Sequence, residues 1–175
     1  MCIRDRYIIA AVMIAPALTQ VGVAAVAAHM FIFYYAVLSE VSPPTALSPF
    51  AAAAITGGNP FRTMMLTWKY TLPAFLVPFV FTLSPEGLGI LLQAPLPDVI
   101  RSSLSAALGI AALAIAFGGW LWRAASMPER IAAGIAGVLL CYASGVSDAL
   151  GIGVLALVAF SHVARVRVNT TGGAR

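Results

Sequence analysis

From Tyr7 to Ser39 the chain carries no Asp, Glu, Lys or Arg. A small soluble domain cannot hide so long an uncharged apolar stretch, whereas a bilayer takes helices of roughly 20 apolar residues. Composition agrees, with 61% hydrophobic and 9% charged residues against about 45–50% and about 25% in soluble domains. Disordered chains are polar and charge-rich, so disorder is excluded as well. The expected fold class is all-α, a polytopic integral membrane protein in contact with lipid. The formal net charge of +4 comes from basic residues scattered between apolar runs. That pattern sets orientation in a bilayer and does not form a nucleic-acid patch. Cys2 and Cys141 supply neither a disulfide framework nor a metal motif, and Cys141 reads as a small packing residue.

The first six residues, MCIRDR, are charged and abrupt, and they lack the apolar stretch and cleavage site of a signal peptide. The codons ATG-TGT-ATA-AGA-GAC-AG spell Met-Cys-Ile-Arg-Asp and then Arg or Ser. That string resembles the transposase end sequence used in DNA library preparation. Residues 1–6 are therefore expected to be an exogenous scar, with the natural chain beginning upstream of Tyr7.

Charges, prolines and glycines divide the remainder. A short helix is expected over about 7–18, broken near Pro16 and Thr19–Gly22. A second starts near Val23, runs through HMFIFYYAVLSE, meets Ser42-Pro43-Pro44 and resumes to about Thr56, where Gly57-Gly58-Asn59-Pro60 stops it. About four further transmembrane helices are expected, over 61–82, 100–122, 130–146 and 149–164. Residues 83–99 read as an extracytoplasmic loop and 165–175 as a cytoplasmic tail. The excess of Lys and Arg on cytoplasmic loops fixes this orientation. Arg62, Lys69, Arg123, Arg130, Arg165, Arg167 and Arg175 sort to one side, and Arg101 to the other with Glu86, Asp98 and Asp148.

The segment Leu38-Ser39-Glu40-Val41-Ser42-Pro43-Pro44-Thr45-Ala46-Leu47-Ser48-Pro49 carries the chemistry. Each proline lacks an N–H and frees the carbonyl four residues earlier, so Pro43, Pro44 and Pro49 free those of Ser39, Glu40 and Thr45. In a bilayer, freed carbonyls persist only where buried in protein or lining a polar cavity. The hydroxyls of Ser39, Ser42, Thr45 and Ser48 lie beside them. Carbonyl and hydroxyl oxygens at a helix break hold sodium in many secondary transporters. Ser39, Ser42 and Thr45 are thus the candidate sodium ligands, with Glu40 and Pro43 completing the candidate ion or substrate site. An acidic residue inside a span marks a functional site by default. Glu40 can compensate a cation, carry a proton, or pair with Arg62 or Lys69. No cofactor is expected beyond a coupling sodium ion or proton.

Together, HMFIFYYAVLSEVSPPTALSPFAAAAITGGNPFRTMMLTWKYTLPAFLVPFVF resembles the carboxyl-terminal half of the large (DctM-like) membrane subunit of TRAP transporters, most of all the fused permeases that serve TAXI-type binding proteins. YIIAAVMIAPAL resembles the second arm of that family's second re-entrant hairpin. The resemblance is specific over 7–82, which would be the carboxyl-terminal part of the transport domain. It is weaker over 100–164, which look like the extra helices of fused permeases. The family's break more often reads Thr-Pro-Pro, so Ser42 stands in for threonine, and Glu40 replaces what is often a small or apolar residue. The resemblance implies uptake of small organic acids across the bacterial inner membrane, driven by an ion gradient and by elevator movement of the transport domain. It also implies two partners, a periplasmic TAXI-type solute-binding protein and a small membrane subunit or fused domain absent here. The Gly-rich hairpin tip would precede Tyr7.

Other residues read as structural. An intramembrane enzyme would need His29 or His162 beside Ser39 or Ser144, and no GxSxG or HExxH motif appears; the chain is read as not an enzyme. His29 reads as a helix-contact residue, His162 as interfacial and Asp148 as a turn residue capping the last helix. Ala51–Ala54 and Gly134–Val138 read as close packing, as do Phe31, Phe33, Tyr34 and Tyr35, while Trp120 and Trp122 fit an interfacial belt. A channel-like or structural membrane subunit is the alternative class.

Overall fold

The computed structural model of the protein describes residues 3–121, 123–142 and 144–172, with side chains as far as Val166. Among the described residues seven α-helices follow in order, α1 (Ile3–Gln20), α2 (Ala25–Leu38), α3 (Leu47–Thr56), α4 (Pro60–Leu83), α5 (Leu96–Gly118), α6 (Met127–Cys141) and α7 (Gly145–Gly172). A 3-10 helix, Pro85–Leu91, links α4 to α5. Among the described residues there is no strand, only a lone bridge from Trp120 to Ala124.

Local sequence explains the boundaries. Gly57 ends α3 in the left-handed region at φ 68°, as C-terminal glycines do. Asn59 then caps α4, its side chain accepting from the Arg62 N–H, with Pro60 in the first turn. The expected span at 100–122 lies four residues earlier. Pro95 and Pro97 open α5 rather than belonging to a loop, because a helix's first N–H groups have no partner to lose. The expected span at 130–146 likewise starts at Met127, where Ser126 and Glu129 form a capping box. The last helix starts at Gly145 and continues past residue 164 to Gly172. Asp148 therefore sits in the first turn of α7, not in a connecting turn. Trp122 lies outside the described residues; Trp120 is 65% exposed.

Among the described residues, three helices are long and apolar enough to cross a membrane, α4, α5 and residues Gly145–Val166 of α7. The fourth expected span, α6, has 15 residues, about 22 Å of helix. That is short of a hydrocarbon core of about 30 Å. Only 28%, 33% and 17% of the three spanning windows is buried inside the protein. Ile55 at 87% and Val12 at 73% exposure show how much apolar surface faces outward, as lipid contact requires.

Packing falls into two connected parts. α1 packs on α2, while α2 and α3 both pack on α4. The carboxyl-terminal part is an antiparallel α5–α6–α7 arrangement, joined to α4 through a core of Val80 of α4, Ala106 and Leu113 of α5 and Cys141 of α6, with Leu76, Ile90 and Phe117 against it. Cys141 is the buried packing residue its apolar run implied. Small residues bring these helices together. A Cβ on Gly137 would lie 2.6 Å from Leu113 Cγ and 3.0 Å from the Gly109 carbonyl oxygen. Gly137→Ala is therefore expected to cost about 1–3 kcal/mol by overpacking. Gly153→Ala, with nothing within 4 Å of the added carbon, should be neutral or slightly stabilising. Thermal unfolding in detergent micelles checks the pair. The Ala51–Ala54 run contributes less to packing than expected, since only Ala53 is buried.

Charge is sorted by end. The α5 carboxyl end, α6 amino end and α7 carboxyl end meet, where Arg130 donates to the Ala116 and Phe117 carbonyls and Arg165 to that of Ala124. At the opposite end, Arg101 meets Asp148 at 3.1 Å, with Glu86 and Asp98 beside them.

Candidate functional site

Residues 39–46, between α2 and α3, form a run of turns. The α2 helix ends as its hydrogen bonds tighten. Ser39 N–H still donates to the Tyr35 carbonyl, but Glu40 and Val41 donate only three residues back, to Val37 and Leu38. Pro43 and Pro44 then offer no N–H at all. The two freed carbonyls find local partners. Thr45 Oγ1 donates to the Ser39 carbonyl at 2.9 Å, and Ser48 N–H reaches the Glu40 carbonyl at 3.4 Å. Each carbonyl retains a second lone pair. Pro49 plays a different part from the one expected. It falls in the first turn of α3, where no N–H partner is lost, and the Thr45 carbonyl accepts from Leu47 N–H at 2.7 Å.

Position is set by α2. Phe31 and Tyr35 lie with ring centroids 4.8 Å apart, and Tyr35 meets Phe75 of α4 at 5.9 Å. Phe31 meets Phe79 edge-on at 5.6 Å, and Tyr35 Oη donates to the Phe75 carbonyl at 2.7 Å. Aromatic pairs of this kind add about 0.5–1.5 kcal/mol each beyond their buried area. The α2 helix is thereby locked onto α4 just before the turns begin. A cavity of about 480 Å³ opens beside it, lined by Arg6 and Ser39 together with Ile14, Phe31, Tyr35 and Phe79.

The expected site residues are brought together in part. Ser39 and Thr45 are joined by a hydrogen bond, and Ser39 and Glu40 share a cation. Ser42 and Pro43 are half-buried, and the Ser42 hydroxyl forms no hydrogen bond to another described residue. The Glu40 carboxylate pairs with neither Arg62 nor Lys69. Its partner is Arg6, whose Nη2 lies 2.7 Å from Glu40 Oε1 while Nη1 donates to Ser39 Oγ. The first turn of α1 supplies this arginine, within the residues set apart as exogenous. Among the described residues no cluster of three His, Cys, Asp or Glu side chains could hold a metal, so a cation at these turns would depend on carbonyl, hydroxyl and single-carboxylate oxygens.

Two further polar clusters escaped the sequence reading. Glu129 Oε2 accepts from Ser126 N–H at 2.8 Å and from Arg165 Nη2 at 2.7 Å, with His162 Nδ1 at 3.3 Å. His162 is fully buried, because α7 turns it onto α6. Asp148 does not cap α7. Its carboxylate instead accepts from Ser105 at 2.6 Å and from Arg101 at 3.1 and 3.2 Å on α5. The spacing Ser126-x-x-Glu129 signalled the first cluster, as did the one-face spacing of His162 and Arg165. No local signal pointed to the second. His29 bonds to Tyr7 Oη at 2.9 Å as a helix-contact residue, and neither histidine hydrogen-bonds a serine hydroxyl among the described residues.

Residues 1–87 match the family of the DctM component of the tripartite ATP-independent periplasmic transporter. No curated protein and no solved structure matches the chain. The matched stretch contains α1 to α4 and the whole run of turns. Over residues 1–87 the chain is thus DctM-like, similar to the large membrane component of a transporter.

Proposed function

We propose that the chain belongs to the permease of a binding-protein-dependent secondary transporter that takes up small carboxylates with a sodium ion or proton. The observation that carries this reading is the helix interruption at 39–46, which sets carbonyl, hydroxyl and carboxylate oxygens together inside the DctM-like stretch. Such oxygens at an interrupted membrane helix suit the binding of a small cation. In this reading Ser39, Ser42 and Thr45 supply sodium ligands, Glu40 tunes the charge or carries the proton, and Pro43 keeps the carbonyl of Ser39 outside a helical ladder. A periplasmic TAXI-type solute-binding protein delivers the substrate, and a small membrane subunit or fused domain completes the transporter. The α1 helix acts as one arm of a re-entrant hairpin, and α2 with α3 as one helix broken at Pro43-Pro44.

Uptake measurements test the site. In the permease carrying this segment, assayed with its binding protein, Glu40→Gln should shift the sodium or proton dependence of uptake at least tenfold, about 1.4 kcal/mol of binding free energy. Unchanged dependence on both ions would remove Glu40 from the mechanism.

The placement of Arg130 and Arg165 where the α5 carboxyl end, the α6 amino end and the α7 carboxyl end meet supports a cytoplasmic carboxyl terminus in the inner membrane. A fluorescent reporter that matures only in the cytoplasm, fused after Arg175, should give signal, while a periplasm-specific phosphatase at the same point should stay inactive. The reverse pattern would invert the orientation.

A further inference from the structure

Arg62, Leu66 and Lys69 follow one another on α4 at intervals of four and three residues, which puts them on one face of the helix. All three are exposed, as is Tyr70 at the edge of that face, while Met64 on the opposite face is buried. Lys69 Nζ lies 5.8 Å from the centroid of the Tyr70 ring. Neither Arg62 nor Lys69 forms an ion pair or a side-chain hydrogen bond with another described residue. The later helices satisfy their arginines within the fold, Arg101 with Asp148, Arg165 with Glu129 and Arg130 with the Ala116 carbonyl. The α4 face thus presents two cations and no counter-charge.

Depth says what can supply the counter-charge. About 21 Å of helix runs from Lys69 to Leu83, the last residue of α4, against a hydrocarbon core of about 30 Å. With the carboxyl end of α4 at one surface of the core, the Lys69 backbone stands about 9 Å inside the other. Its ammonium reaches the interface along its own stem. Helical side chains tilt toward the amino terminus, so that reach is toward Arg62. A soluble anion does not follow a lysine below the headgroup level, whereas a phospholipid phosphate is anchored there by its own chains. Paired cations beside an aromatic ring and an apolar side chain are complementary to an anionic headgroup with its acyl chain.

We propose that the Arg62–Leu66–Lys69 face of α4 is a docking surface for an anionic phospholipid, its phosphate held between the two cations and an acyl chain laid along Leu66. The inference goes beyond the permease reading and requires only that α4 cross the membrane.

Thermal unfolding of the purified full chain in neutral detergent micelles, titrated with phosphatidylglycerol or with phosphatidylcholine of the same acyl chains at constant ionic strength, tests the site. The parent's midpoint should rise and saturate with phosphatidylglycerol and stay flat with phosphatidylcholine. In Arg62→Gln/Lys69→Gln the half-saturating phosphatidylglycerol concentration should be at least tenfold higher. Arg62→Lys/Lys69→Arg, which keeps both charges, and Arg123→Gln, on the α5–α6 connection, should respond as the parent does. Leu66→Glu sets a carboxylate within one turn of both cations and should weaken the response likewise. It replaces the double glutamine variant where circular dichroism shows that the latter does not fold. A double variant that responds as the parent, a loss shared equally by Arg123→Gln, or a rise reproduced by inorganic phosphate overturns the proposal. So does a parent that is indifferent to phosphatidylglycerol, including one that light scattering shows to be a dimer covering this face with a second copy.

Discussion

Glu129→Ala is expected to loosen the basic end of the α5–α6–α7 part more than any other single side-chain truncation there. One oxygen, Oε2, receives the Ser126 N–H, the Arg165 guanidinium and the His162 ring nitrogen. Arg165 in turn holds the Ala124 carbonyl in the α5–α6 connection. Truncation therefore unties the first turn of α6, the carboxyl end of α7 and the connecting loop together. It also leaves cationic Arg165 beside the buried His162 without a counter-charge. Breaking a fully buried ion pair costs about 3–5 kcal/mol, but Arg165 is 40% exposed and solvent recovers part of that. A loss of about 2–4 kcal/mol is expected, including about 1 kcal/mol for the helix cap. Glu129→Gln keeps a carbonyl oxygen for the cap and gives up the charge, so its loss should be smaller. Thermal unfolding in micelles ranks the three proteins, and hydrogen exchange across residues 119–126 should accelerate most in the alanine variant. Equal midpoints for alanine and parent would show that this oxygen ties nothing together.

That cluster also marks how far the sequence could be read. Hydropathy periods and Gly/Pro punctuation are local, so they located the interruption at 39–46, the stop at Gly57 and the approximate course of each later helix. Boundaries moved where prolines proved to be openers rather than breakers. Pro49 and Pro97 fall in first turns and Pro95 is the N-cap of α5, positions where the absence of an N–H removes no hydrogen bond. Pairings across the chain were a different matter. Arg6 and Glu40 are 34 positions apart by their numbering, Arg101 and Asp148 are 47 apart, and no periodicity connects them. They depend on which helix faces turn inward, and a nearly uniformly apolar sequence conceals that. In a soluble protein the hydrophobic face of a helix announces its inner side. Here lipid accepts the outer side equally well, so His162 could be assigned to the interface by sequence and yet lie fully buried. The DctM-like stretch was legible because turn-forming residues and hydroxyls recur within a dozen positions, whereas the ion-pair partner of Glu40 came from another helix.

Gly87→Ala should be the most damaging glycine substitution in the protein. Gly87 lies in the 3-10 helix that folds back on the carboxyl end of α4, and a Cβ there would sit 1.8 Å from the Val80 carbonyl oxygen, 2.7 Å from the Val80 carbonyl carbon and 3.0 Å from Phe81 Cα. All three are backbone atoms inside a helix, so no side-chain rotation relieves the clash. The short helix would have to lift away from α4. Val80, which is fully buried, packs there with Ala106, Leu113 and Cys141, and Ile90 of the same short helix packs against that cluster. Lifting it also strains the Ser84 cap, whose Oγ accepts from Gly87 N–H at 3.2 Å. Overpacking usually costs about 1–3 kcal/mol and sometimes more, and an unyielding backbone neighbour puts this case at about 3 kcal/mol or above. Gly89→Ala offers an internal gauge. Its nearest obstacle is Ser102 Oγ at 2.3 Å, a side-chain atom that can rotate away, with the Asp98 carbonyl oxygen at 3.0 Å, so the loss should be smaller. Gly118→Ala meets nothing within 4 Å and should leave the midpoint unchanged or slightly raised. The expected order of thermal stability is thus Gly118→Ala, then Gly89→Ala, then Gly87→Ala. Protease sensitivity confined to residues 84–95 should rise along that series and be greatest for Gly87→Ala, and a Gly87→Ala protein as stable as Gly118→Ala would mean that the short helix does not rest on α4.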